Sequence, residues 1–177
     1  MKKYLVIGNP IEHSLSPKLH NYWFKKNNID ANYDRKKIDK SEIQKIISEI
    51  REDKLDGINV TVPFKSDVIP FLDTLSKESQ ITQSVNTIYK QDKKLIGHNT
   101  DIKGFELSLK ETQFNLENKT IFILGAGGVV PSIIYALEKL GTSKIIVSNR
   151  TKQKTENLKK YFSNISVVDW GDQPEFL

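Results

Sequence analysis

A chain of 177 residues with 37% hydrophobic content has enough apolar material for one large domain or two small ones. The lack of cysteine excludes a disulfide framework and a thiolate metal site, and His13, His20 and His98 lack metal-ligand spacing, so no metal is expected. The net charge of +5 comes from 27 basic and 22 acidic residues with no long basic run, so the small basic clusters read as solvated surface and not as a nucleic-acid site.

Residues 4–8 read as a first strand and Asn9-Pro10 as its exit turn. The apolar run there is too short for a signal peptide, which makes the cytoplasm the expected location. Ser16 before Pro17 predicts a helix start with Ser16 as N-cap and Leu19, Tyr22 and Trp23 on its inward face. Residues 32–38 suggest a second strand. Ser41 and Gln44 suggest a capping box ahead of Ile43, Ile46, Ile47 and Ile50 at helical spacing. After Asp56-Gly57, the β-branched Ile58, Val60 and Val62 alternate with Asn59 and Thr61, predicting a strand with one apolar and one polar face. Pro63 should end it and leave Phe64 and Lys65 at its C-terminal edge, where ligands collect in open α/β sheets. A plain amphipathic strand is the simpler reading of those residues alone.

A short helix is expected within 70–83, and an antiparallel hairpin within 85–97 around Gln91-Asp92-Lys93. Thr100 or Asp101 should cap the next helix, carried by Ile102, Phe105 and Leu109. The polar stretch 111–119 reads as a boundary. Beyond it the strand–helix alternation restarts: strand 120–124, glycine turn, helix to about 140, strand 144–148, helix to 161, strand 165–168. Residues 120–137 carry no charge and match a membrane span in length, but their glycines and Pro131 favour a buried strand, turn and helix, so no membrane partner is expected.

Gly125-Ala126-Gly127-Gly128, between a strand and a helix, suits close backbone approach of a pyrophosphate to a helix N-terminus. Val130 departs from the fingerprint's third small residue. At the end of the following strand no acidic residue is available for the ribose hydroxyls of NAD. Asn149-Arg150-Thr151 with Lys152 and Lys154 behind stand there instead and suit the 2′-phosphate of NADP, the expected cofactor. Cations at a helix start oppose its dipole and are otherwise out of place. Near the first strand, the hydroxyls of Ser14 and Ser16 and a helix start could converge on a carboxylate, though helix capping alone also accounts for Ser16. Lys65, Asn86 and Asp101 fall near one predicted sheet edge, and a lysine kept charged by a carboxylate can stabilise or protonate an alkoxide.

Four motifs together resemble the shikimate dehydrogenase family: Ser14-Leu15-Ser16-Pro17, Asn59-Val60-Thr61-Val62-Pro63-Phe64-Lys65, Val85-Asn86-Thr87, and Asn99-Thr100-Asp101 with Gly104. The resemblance implies an N-terminal α/β substrate domain with a mostly parallel sheet over 1–110, followed over 111–177 by a Rossmann-like NADP-binding domain that is cut short. The sequence is therefore expected to be a piece of a longer chain. The implied reaction is the NADPH-dependent, reversible reduction of 3-dehydroshikimate to shikimate, on the route to chorismate and aromatic amino acids.

Carried over from that resemblance, Ser14 and Ser16 would hold the substrate carboxylate. Asn59, Thr61, Asn86 and Asp101 would hold its ring oxygens, with Lys65 as acid/base and Asp101 orienting it. Gly125, Ala126, Gly127, Gly128, Val129, Asn149, Arg150, Thr151 and Lys154 would hold NADP. The partner expected is the small-molecule substrate, with a homodimer allowed for. Ile102, Gln83-Ser84 and Val129-Val130-Pro131-Ser132 depart from the family's usual residues. The alternatives are a quinate or shikimate dehydrogenase using NAD, and a catalytically silent shikimate-binding module.

Overall fold

The computed structural model describes residues 1–172. The chain divides into two compact units, Met1–Asn99 and Thr100–Leu177.

The first unit is a six-stranded sheet with strands β1 (Lys2–Gly8), β2 (Ala31–Lys37), β3 (Gly57–Val60), β4 (Thr74–Leu75), β5 (Thr87–Gln91) and β6 (Lys94–His98), in the order β2-β1-β3-β5-β6-β4. β1 pairs in parallel with β2 and β3, and β4 with β6. β5 runs antiparallel to both β3 and β6, the latter pair being the predicted hairpin. Helix α1 (Ser16–Lys26) connects β1 to β2, α2 (Ile43–Arg51) connects β2 to β3, and α3 (Lys77–Thr82) follows β4.

The core lies where α2 meets the sheet. Ile43, Ile46, Ile47 and Ile50 are at most 2% exposed and pack with Ile7, Ile58, Val60, Phe64 and Ile88. Each such burial stabilises the fold by about 1.5–3 kcal/mol. α2 is reached through a 3-10 turn at Lys40–Glu42, and the capping contact sits earlier than the sequence suggested. Glu42 Oε2 accepts the Asp39 N–H at 2.8 Å, so Asp39 and Glu42 do the work assigned to Ser41 and Gln44.

Three further expectations for this unit are corrected. β3 ends at Val60 instead of Val62, and Val62 is 56% exposed in the turn that follows, where the Phe64 N–H donates back to the Thr61 carbonyl at 3.0 Å. The segment 70–83 is not one helix: a 3-10 turn at Ile69–Phe71 and the short strand β4 come first, and the α-helix α3 runs only over Lys77–Thr82. Gln83, at the end of α3, takes the left-handed conformation with φ +48°, a backbone state in which the family's more usual glycine carries no steric penalty.

α1 holds the third correction. Leu19, Tyr22 and Trp23 are 54%, 57% and 47% exposed, and it is His20, Asn21 and Phe24 that face the sheet. Asn21 sets this rotation: its Nδ2 donates to the Tyr33 carbonyl at 2.7 Å and its Oδ1 accepts the Tyr33 N–H at 2.9 Å. These contacts satisfy backbone groups of the edge strand β2, which a leucine could not do.

The second unit holds α4 (Asp101–Glu111), the parallel strands β7 (Thr120–Leu124), β8 (Lys144–Ser148) and β9 (Ile165–Val168), and helices α5 (Val130–Lys139) and α6 (Lys152–Leu158). The charge-free stretch is β7, a turn and α5, as expected, and among the described residues no helix is long and apolar enough to cross a membrane. α6 stops at Leu158, short of the predicted 161.

α4 is tied to α5 by Glu106, 6% exposed, which accepts from Lys139 Nζ at 2.6 Å and lies 3.6 Å from Lys103 Nζ. The Lys139 ammonium, then Lys103, outweighs burial and holds the Glu106 carboxyl below the usual glutamate range. The unfolded chain therefore takes up this proton at higher pH than the folded one. The stabilisation is complete above the ordinary glutamate range and is lost as pH falls through the lower, folded value. Glu106→Gln should accordingly flatten the acid limb of a Tm-against-pH curve while lowering Tm at neutral pH. A curve whose acid limb keeps the wild-type shape would count against this ion pair.

Candidate active site

Two strand exits meet at the centre of the first unit. The Asn9 N–H donates to the Val62 carbonyl at 3.0 Å, and the Thr61 N–H to the Ile7 carbonyl at 2.9 Å. Gly8 allows that approach: a Cβ there would lie 2.6 Å from Thr61 Cγ2 and 3.0 Å from the Val62 oxygen. The result is a cleft of about 300 Å³ lined by Val6, Pro10, Ile11, His13, Ser14, Ser16 and Thr61. Three of the residues singled out in the sequence, Ser14, Ser16 and Thr61, thus share one concave surface.

Ser16 is not the N-cap of α1. Leu15 occupies that position, and the Ser14 hydroxyl accepts the Ser16 N–H at 3.3 Å. The loop carrying these serines is held from outside by Arg35, whose Nη1 donates to the Ser14 carbonyl at 3.1 Å. Glu12 braces the same loop. N–H donors of Glu12 and Ile11, then Lys37, bring its carboxyl down to about 2, so it stays an anion throughout the physiological range. His13 had no signal in the sequence beyond its adjacency to Ser14. It reaches the cleft because the Pro10–Ile11 segment folds back, with the Ser14 N–H donating to the Ile11 carbonyl at 3.0 Å.

Lys65 lies in the turn after β3, partly exposed. The buried Phe64 side chain anchors it on one side, and its carbonyl accepts the Val85 N–H at 2.8 Å on the other. Asn86 sits at the mouth of β5, its carbonyl accepting the Val60 N–H at 2.9 Å and its own N–H donating to the His98 carbonyl at 3.1 Å. Asn59 is turned toward this residue: its Nδ2 donates to the Asn86 carbonyl at 3.1 Å and to Thr87 Oγ1 at 3.0 Å. The other end of its amide, Oδ1, accepts the Tyr33 hydroxyl at 2.6 Å, leaving that oxygen one further lone pair. Asn99, 2% exposed, closes the far side of the sheet by donating to Thr82 Oγ1 at 3.2 Å and the Ser84 carbonyl at 3.0 Å. Asp101 opens α4 in the second unit, one residue after the N-cap Thr100.

In the second unit the glycine turn and the end of β8 are brought together. The Gly125 N–H donates to the Ser148 carbonyl at 2.7 Å, and the Ala126 N–H to Asn149 Oδ1 at 3.2 Å, while Asn149 Nδ2 donates to the Thr151 carbonyl at 2.9 Å. Gly125 has φ +112°, which a side chain would strain, and a Cβ on Gly127 would meet nothing within 4 Å. α5 starts after Val129 without a side-chain cap, and the Val130 N–H donates back to the Gly127 carbonyl at 3.0 Å, which sets the start of the helix directly behind the glycine turn. Arg150 and Lys154 are exposed beside it, whereas Lys152 is turned onto Asp169 at 2.6 Å. An open glycine turn, an uncapped helix start and two exposed cations fit an anionic dinucleotide with an extra phosphate.

Comparison with known proteins agrees with this geometry. Residues 6–88 match the family model for the shikimate dehydrogenase substrate binding domain, and residues 106–175 match that for shikimate / quinate 5-dehydrogenase. The crystal structure of shikimate dehydrogenase from Aquifex aeolicus superposes with a TM-score of 0.89 at 34% identity, over 100% of this chain and 73% of that one. The chain belongs to the shikimate dehydrogenase family.

Within the shikimate dehydrogenases, the NADP(+) enzyme of Pelagibacter ubique is 58% identical over 175 residues, 99% of this chain and 66% of that relative's length. The Thermus thermophilus shikimate 5-dehydrogenase, solved in complex with NADP(H) and shikimate, aligns at 31% identity and a TM-score of 0.85, over 95% of this chain and 63% of that one. The chain thus spans about two thirds of the length of the shikimate dehydrogenases it matches.

Proposed function

We propose that this chain carries the substrate-binding unit and the first part of the NADP-binding unit of a cytoplasmic shikimate dehydrogenase that interconverts 3-dehydroshikimate and shikimate. The observation that carries the reading is the cleft in which Ser14, Ser16 and Thr61 converge within a chain of this family. The names of the Pelagibacter and Thermus relatives supply the substrate and the cofactor.

In this reading the hydroxyls of Ser14 and Ser16 donate to the substrate carboxylate, and Asn59, Thr61 and Asn86 bond the ring oxygens. NADPH, held at residues 125–129 and at Asn149, Arg150, Thr151 and Lys154, supplies a hydride to the carbonyl carbon when bound. Lys65 donates a proton from Nζ to the carbonyl oxygen as negative charge develops on it, and takes that proton back in the reverse direction. The lysine's fixed backbone supports this role, since a general acid contributes only when held at the reacting oxygen.

Steady-state assays with 3-dehydroshikimate on the protein expressed from its full reading frame test the proposal. Turnover with NADPH should exceed that with NADH by at least about tenfold in kcat/KM. Preference for NADH would move the assignment to the NAD-using quinate/shikimate enzymes. Shikimate binding without turnover on either cofactor would leave a silent binding module.

A further inference from the structure

Tyr33 lies on β2, 26 residues before Asn59 in sequence and with β1 between their strands, yet its hydroxyl reaches Asn59 Oδ1 at 2.6 Å. The ring is built in. It is 4% exposed, stacked on His20 with centroids 4.1 Å apart and planes 9° from parallel, and its backbone is clamped by Asn21. Burial pushes the phenol well above its ordinary range, so it remains a neutral O–H donor.

The direction of the bonds beyond Tyr33 follows from what each group can do. The Asn86 carbonyl can only accept, so the Asn59 atom facing it at 3.1 Å is the amide nitrogen, which turns Oδ1 toward Tyr33. The same nitrogen donates to Thr87 Oγ1 at 3.0 Å. Thr87 then has its one proton to give, and it donates to Asn86 Oδ1 at 3.0 Å. Tyr33, Asn59, Thr87 and Asn86 thus form a one-way series of donors ending on the Asn86 carbonyl oxygen of the side chain.

We infer that Tyr33 and Thr87 are positioning residues that lock the Asn86 amide with its oxygen toward Thr87 and its NH2 on the opposite branch, so that Asn86 meets the substrate as a donor and selects an acceptor oxygen there. The two orientations of an asparagine amide are nearly the same shape, so only hydrogen-bond partners distinguish them. This rests on the reading of Asn86 as a substrate residue. It adds two residues outside the cleft and assigns the polarity of the contact.

A substrate-free measurement decides the lock by itself. In protein carrying nitrogen-labelled asparagine, the Asn86 side-chain NH2 signal, identified by its loss in Asn86→Ala, should move in Thr87→Val and Tyr33→Phe and stay in place in Thr87→Ser. A signal unmoved in Thr87→Val overturns the inference. In shikimate titrations, Thr87→Val and Tyr33→Phe should each weaken binding about fivefold to tenfold, with Thr87→Ser restoring it. Tyr33→Phe should cost nothing further in the Asn86→Ala background, since its effect passes through Asn86. Additive losses would show a general structural role and overturn the inference as well. A wild-type protein that fails to bind shikimate would overturn the functional reading above, while the substrate-free spectrum would still decide the lock.

Discussion

Lys65→Met is expected to lower kcat for reduction of 3-dehydroshikimate about a thousandfold while KM for that substrate changes less than about threefold. The argument starts from charge. The carbonyl oxygen is nearly neutral in the ground state and approaches an alkoxide as hydride arrives, so an ammonium gains most of its interaction in the transition state. Removing it therefore falls on kcat. Methionine keeps the length and apolar stem of lysine. The backbone at this position is held independently of the side chain, by Phe64 at 3% exposure and by the 2.8 Å bond from the Val85 N–H to the Lys65 carbonyl. The variant should consequently fold with an unchanged Tm, and shikimate should bind it with near wild-type affinity in a calorimetric titration. Turnover that survives in Lys65→Met would remove Lys65 from the chemistry. A loss confined to KM would make it a binding residue only.

Much of the architecture was legible because it rests on local pattern. The isoleucines of α2 leave one way to bury them, and strands β7, β8 and β9 follow from short apolar runs bounded by turn residues. What escaped was set by polar contacts between distant residues. Leu19, Tyr22 and Trp23 have helical spacing, but α1 is rotated by the two hydrogen bonds between Asn21 and Tyr33, 12 residues away, and these three side chains face outward instead. Val62 has strand periodicity and lies instead in a turn closed by the bond from the Phe64 N–H to the Thr61 carbonyl. Within the candidate site, the convergence of Ser14, Ser16 and Thr61 could be anticipated from motif order. The contribution of His13 could not, because it depends on how the Pro10–Ser14 loop closes. The polar strand face puts Asn59 among the ligand residues, but it does not show the bonds of its amide to Tyr33, Thr87 and Asn86.

Arg150→Ala should raise KM for NADP by about 10-fold to 100-fold and leave KM for NAD within about twofold, because a charge-assisted pair to a phosphate is worth about 1.5–3 kcal/mol and each 1.4 kcal/mol is a factor of ten. The residues around Arg150 make the experiment selective. Lys152 is engaged by Asp169 at 2.6 Å, which also raises its ammonium above the usual lysine range, so Lys152→Ala should alter cofactor choice little. Lys154 is exposed on the first turn of α6, and Lys154→Ala should add a smaller loss, attenuated by solvent. In the proposed reading the glycine turn would hold only the part of the cofactor common to NAD and NADP, so a substitution at Gly127 should weaken both alike. Discrimination between the cofactors therefore separates two physical contributions: the backbone cradle at 125–129, blind to the extra phosphate, and the cations after β8, which respond to it. Raising salt should shrink the NADP advantage of the wild type more than that of Arg150→Ala, since exposed charges are screened and neutral contacts are not. Equal losses for both cofactors in Arg150→Ala would make this arginine part of the common cradle and leave the preference for NADP without a physical cause in these residues.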